Sequence, residues 1–141
     1  MKLKIKTNFS FNKLSNQLNN LIDGYTASYA KDSAEGSKQA INAGLTPDLE
    51  DSTVLIRKKR TQPTSPPLKA SGKLYKSIKQ KKNALEMLYY GDLHDKGFKT
   101  EPDSMIPNKT VPARPFIQTT LKNKQKIDKK FMQDINKALK K

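Results

Sequence analysis

The chain holds a single histidine, His94, set between Asp92 and Asp95. An imidazole is the side chain that titrates near neutrality, and a nearby carboxylate can orient it or share a metal with it. Catalysis would also need a nucleophile and oxyanion donors, and the residues around His94 supply neither. Two carboxylates and one imidazole within four residues cannot close around a metal without distant ligands. There is no Cys, which removes disulfides, thiolate chemistry, Fe–S clusters and the usual Cys/His zinc sites. None of the six Gly falls in a G-x-G-x-x-G or Walker pattern that could cradle phosphates. These residues predict no enzyme, no catalytic or metal site and no cofactor. A His-dependent hydrolase is the weakest reading of the chain, and His94 is expected to be a half-buried ring bonded to a neighbouring backbone group.

The other chemistry available is electrostatic. Among 141 residues, 28 are Lys or Arg and 13 are Asp or Glu, a formal net charge of +15. Residues 1–51 carry six Lys and six acids, so all of the excess lies beyond them. Residues 57–82 hold ten basic groups and no acid; residues 122–141 hold eight Lys and two Asp. Such asymmetry points to a basic face or arm meeting an anion, with nucleic acid phosphate the leading candidate. Arg is the usual reader of base edges, and only Arg57, Arg60 and Arg114 are present. Any contact with DNA is therefore expected to be to phosphate and independent of sequence.

These groups need elements to position them. Leu, Ile, Val and Phe number 30, about 21% of the chain, just above the level of about 20% at which a highly charged chain stays disordered. One domain spanning 1–141 with a thin core of roughly fifteen large side chains is the expectation, stabilised by burying surface between subunits. No run approaches the ~18 apolar residues of a membrane span, and the start, Met1 to Thr7, lacks the apolar core of a signal peptide. A soluble intracellular product follows as the default.

Along the chain, Lys alternating with Leu3 and Ile5 predicts a short edge strand over 2–7. Ser10 is a plausible N-cap, and Phe11, Leu14, Leu18, Leu21, Ile22, Tyr25 and Tyr29 mark an amphipathic helix over 11–31. A weaker helix over 33–43 stops at Gly44. Residues 45–51 read as a loop, and Ser52 or Thr53 as the cap of a short helix through Ile56 into Arg57–Arg60. Pro63, Pro66 and Pro67 force an extended loop, flexible over about 61–70. Ser71-Gly72 opens a helical turn that carries Leu74 inward. A β-hairpin follows over 78–90, with arms 77–82 and 85–90 and a turn at Asn83-Ala84. Tyr90 to Gly97 reads as one helical turn, 99–110 as a flexible loop, and Ile117, Leu121, Ile127, Phe131, Ile135 and Leu139 as the apolar stripe of a last helix that begins near Pro115. The fold class is α+β: a long N-terminal helix, a small antiparallel sheet, and a C-terminal amphipathic helix packed on it.

Segments 44–60, 67–78, 89–98 and 106–117 occur in an order that resembles the tail-completion and virion-morphogenesis proteins of tailed bacteriophages, the group similar to the G protein of phage Mu. The matching positions are Thr53, Arg57 to Arg60, Pro67-Leu68, Ser71-Gly72, Leu74, Ser77-Ile78, Tyr90-Gly91, His94, Gly97 and the box Pro112-Ala113-Arg114-Pro115-Phe116. They cover about half the chain. Gly91 stands where the family usually has Ala, and Leu45-Thr46-Pro47 replaces its Ser-Pro form.

The resemblance implies a structural virion protein of the phage neck, made in the host cytoplasm, which completes the tail and helps it join the filled head. It further implies a homo-oligomeric ring, with six copies to match the tail or twelve as the alternative. Its neighbours would be head-completion or connector proteins and the tail tube or sheath, with genomic DNA passing through. In such a ring Arg57, Lys58, Lys59, Arg60, Lys69 and Lys73 are the candidates for contact with DNA phosphate or with a partner. The motif residues also suit structural work: Pro112 and Pro115 fix two φ angles and deliver Phe116 to the core, while Arg114 is held ready to pair with a carboxylate of its own or the next subunit. The alternative, from a different class, is a small basic accessory protein that binds nucleic acid without sequence preference.

Overall fold

The computed structural model describes residues 10–104, 106–117 and 121–140. The edge strand expected over 2–7 lies outside the described residues.

Helix α1 runs unbroken over Phe11–Ala43, capped by Ser10, whose side chain accepts from the Lys13 amide, and ended at Gly44. The two helices expected over 11–31 and 33–43 are thus one. Nothing at Lys31-Asp32-Ser33 breaks the backbone ladder. The seam looked weak in sequence because the buried face that continues past it runs through small side chains, Ala30, Ala34 and Ser37, before it reaches Ile41. Small residues at this spacing let other elements approach closely, and they carry little hydropathy signal.

Leu45 is buried just past the helix, and helix α2 covers Asp51–Lys59. Its N-cap residue is Glu50, which makes no side-chain capping bond. The expected caps, Ser52 and Thr53, lie inside the first turn instead. The Arg57, Lys58 and Lys59 charges fall in the last turn, where they complement the helix dipole. The proline segment then returns to helix α3, Lys73–Ser77, which opens on Gly72 in a left-handed conformation. Strands β1 (Lys79–Lys81) and β2 (Ala84–Glu86) pair antiparallel, Lys79 opposite Glu86 and Lys81 opposite Ala84.

The hairpin is shorter than the expected 78–90, and its turn is Lys82-Asn83, one residue early. The physical reason is local. Ser77 belongs to α3, and its Oγ donates to the Leu74 carbonyl and accepts from the Leu88 amide, which closes the base of the hairpin below Glu86. β1 is exposed along its length, so no apolar alternation favours a longer sheet.

Helix α4 covers Tyr90–Lys96 and ends at Gly97, as expected. The segment expected as a featureless loop, 99–110, is bracketed by a second antiparallel pair, β3 (Phe98–Lys99) and β4 (Thr110–Val111). The Thr100 side chain ties its ends: Oγ1 donates to the Ile106 carbonyl and accepts from the Lys109 amide at 2.8 Å. The last helix, α5, is Leu121–Leu139. Residues 112–117 form no helix, so Pro115 does not start one. It stands in an extended corner whose job is to turn Phe116 inward.

The α+β class holds, with a long N-terminal helix, small antiparallel sheets and a packed C-terminal helix. The two partners of α1 overlap near its middle, where Asn83 of the hairpin turn donates to Asp23 and Asn123 of α5 donates to Asp32. The C-terminal half of α1 faces the β1–β2 hairpin and the core of Ala34, Ile41, Leu45, Leu74, Ile78 and Phe116. Its N-terminal half carries α5, through Tyr25 stacked on Phe131 with ring centroids 4.2 Å apart.

Candidate functional site

The box and α4 form one interlocked unit. Phe116 is fully buried, and the core of α1 and α3 closes over it. Its amide and that of Ile117 both donate to Asp95 Oδ1, at 2.7 and 2.9 Å, and the Arg114 amide donates to the His94 carbonyl at 2.9 Å. Asp95 therefore acts as a backbone cap for the box rather than as an orienting partner for His94. Gly97 lies directly under this corner. It sits at φ 76°, and a Cβ there would meet the Ala113 amide nitrogen at 2.7 Å and the Val111 carbonyl at 3.0 Å. Both obstacles are backbone, so no side-chain movement would make room.

Arg114 is almost completely buried. Its Nε donates to the Pro47 carbonyl at 2.8 Å and its Nη2 to the Asp48 carbonyl at 3.0 Å. Within the subunit, two backbone acceptors take the place of the expected carboxylate. The loop after α1 presents its carbonyls where the two prolines hold the guanidinium, and the fork geometry of Arg fits a pair of oxygens from either source.

The His94 ring is set edge-on to Tyr90 and Phe98, with centroids 6.2 and 5.4 Å apart. Its expected side-chain bond to the backbone is not formed: Nδ1 is buried without a hydrogen-bond partner. The link to the backbone runs through the His94 carbonyl instead. Burial, and then the nearby Arg114 charge, lower the imidazole pKa from its ordinary value, so the ring is neutral near pH 7. Among the described residues no group of three or more His, Cys, Asp or Glu could hold a metal ion.

Beside the box lies a cleft of about 360 Å³ between α2, α3, α4 and the β3–β4 ribbon. It gathers residues from every motif segment: Thr53 and Arg57, Leu68 and Ser71, Leu74, Tyr90 and His94, Pro112 and Arg114. Gly72, Ser77, Ile78, Gly97, Pro115 and Phe116 stand behind it as turns, ties and core. The basic run divides at this point. Arg57 turns into the cleft and donates from Nη1 to the Pro63 carbonyl at 3.1 Å, whereas Lys58, Lys59 and Arg60 are exposed on α2 and Lys73 on α3. Lys69 is held elsewhere, with Nζ 2.8 Å from Asn42 Oδ1 and above the Tyr75 ring.

Two cleft residues carry no signal in the sequence. Glu50 and Lys109 form a close ion pair across the mouth, and that contact holds the Glu50 carboxyl below its usual range. They are 59 positions apart and are not among the matching positions of the segments that hold them, so only the fold joins them. Compared with known proteins, the chain matches no family model, no curated sequence and no solved structure.

Proposed function

We propose that this protein is a structural subunit of a tailed-phage neck, which assembles as a ring at the head–tail junction and surrounds the DNA conduit. One observation carries the reading. The segments that resemble the tail-completion and virion-morphogenesis group are scattered over about half the sequence, yet they meet in one interlocked unit of box, α4 and cleft. The thin core adds support: large side chains such as Phe11, Leu55, Ile56 and Tyr89 remain exposed on the isolated subunit, as suits a surface that neighbouring subunits cover. In this role Lys58, Lys59 and Lys73 offer flexible point charges to passing phosphate, and Arg60 a guanidinium fork. No helix among the described residues is long and apolar enough to cross a membrane.

The same exposed lysines favour the second reading, a monomeric or dimeric clamp on nucleic acid. Native mass spectrometry with electron microscopy of the purified protein separates the two. A closed ring of six or twelve copies is expected. A monomer that retards duplex DNA at ~100 mM salt with a steep salt slope overturns the neck assignment in favour of the clamp.

A further inference from the structure

The cleft holds charge that the fold leaves uncompensated. Arg57, Lys109 and Arg114 line it against one carboxylate, Glu50, which pairs with Lys109 and also feels the Arg114 charge, so the cleft keeps an excess of positive charge. Arg57 and Arg114 bond only to carbonyl oxygens, and neither has a carboxylate ion-pair partner among the described residues. Both guanidiniums line this one cleft, and burial, followed by the Arg114 charge, lowers the Arg57 pKa. Like charges set side by side against low-dielectric walls repel, and an anion placed between them relieves that cost. Part of the wall is apolar, formed by Leu49, Leu68, Leu74, Ile106 and Val111. A ligand that fits must therefore pair a planar anion, suited to a guanidinium fork, with an apolar body.

We propose that the cleft is a docking site for an acidic side chain flanked by apolar residues, carried on an extended segment of a partner polypeptide. Duplex DNA offers phosphates without an apolar body, and the Lys-rich α5 of a second copy is excluded by like charge. That the partner is another chain of the assembly rests on the neck reading; the chemistry of the cleft does not.

His94 is the one histidine of the chain, so its ring resonances in a ¹³C-histidine-labelled sample report this cleft alone. The probes are acetyl-Leu-Asp-Leu-amide and its neutral isostere acetyl-Leu-Asn-Leu-amide, titrated into the full chain. The Asp probe is expected to shift the His94 signals saturably, and the Asn probe to bind about tenfold more weakly or worse. The charged and titratable groups that line the cleft with His94 are Arg57, Arg114, Lys109, Glu50 and Tyr90, and Asp95 follows it in the chain. An added carboxylate offsets the Arg114 charge, so the bound state should show a higher His94 pKa. Arg57→Gln should weaken the Asp probe by about tenfold, and Arg57→Lys, which keeps the charge without the fork, by less; if Arg57→Gln loses the native backbone spectrum, Arg57→Lys decides.

Equal response to the two peptides, no response to either, or an equal shift from inorganic phosphate or a short duplex overturns the proposal. Rings without probe binding would sink the cleft and spare the neck reading. Probe binding by a protein that stays monomeric would do the reverse.

Discussion

At the scale of single residues, the corner made by Gly97 and Phe116 bears the most structural weight. Phe116 is fully buried, and Phe116→Ala should destabilise the fold by about 3–5 kcal/mol, read as a lower denaturation midpoint at unchanged slope. Two glycines should respond in opposite directions. Gly97→Ala puts a methyl into the Val111–Ala113 backbone at a positive φ and should cost roughly 2 kcal/mol or more. Gly24 lies inside α1 with open space around its missing Cβ, so Gly24→Ala should stabilise by about 0.5–1 kcal/mol. Equal effects at the two sites would show that the corner is looser than drawn. His94 sets a pH dependence. Its folded pKa lies below the ordinary 6.5, so the unfolded chain binds the proton first. Stability should fall as pH drops through about 6.5 and level off below the folded value, and His94→Gln should remove that step from a plot of stability against pH. The motif residues were legible because Pro, Gly and Phe have strong conformational roles. The partners of Arg114 were not: the Pro47 and Asp48 carbonyls belong to backbone, which no side-chain pattern reveals.

At the scale of elements, the seam between α1 and α5 is separate from the core and should behave so. The hydroxyls of Tyr25 and Tyr29 both donate to Asp128 Oδ1, at 2.9 and 2.7 Å. Those bonds favour the carboxylate, so the Asp128 pKa is lowered, with Tyr29 the larger cause, while burial followed by the same bond raises that of Tyr29. The Asp128 contribution is therefore present above the ordinary carboxylate range and lost as pH falls through its depressed value. Asp128→Ala should speed hydrogen exchange of α5 amides severalfold and leave amides around Ile41 and Ile78 unchanged, because local opening follows local contacts. Uniform acceleration across both regions would mean that α5 and the core open as one unit. The Ile127, Phe131 and Ile135 stripe gave away the helix by its period, whereas Asp128 in sequence looked like one more solvated charge. The β3–β4 ribbon left no trace for a related reason: strands of two residues are too short to alternate, and Thr100 organises them from outside the pairing.

At the scale of the whole molecule, the question is what stabilises a chain with so small an interior. The sequence suggested about fifteen large core side chains. The described residues bury seven hydrophobic ones, two of them alanines, while Phe11 is 74% and Tyr89 83% exposed. A subunit built this way is marginal alone and gains from association, and association that binds only the folded state makes apparent stability depend on concentration. If the proposed ring forms, the melting temperature should rise with protein concentration over the range that brackets its assembly. Substitutions at Tyr89 or Leu55 discriminate between a real interface and incidental exposure. On an isolated surface Tyr89→Ser should change monomer stability by no more than about 0.5 kcal/mol, because the ring touches little of its own subunit. If Tyr89 is covered in the ring, the same substitution should flatten the dependence of Tm on concentration and shift native mass spectra toward monomer. An unchanged slope for both Tyr89→Ser and Leu55→Ser would place the subunit contacts on other faces. A melting temperature independent of concentration in the unmodified protein would mean that this small core suffices by itself.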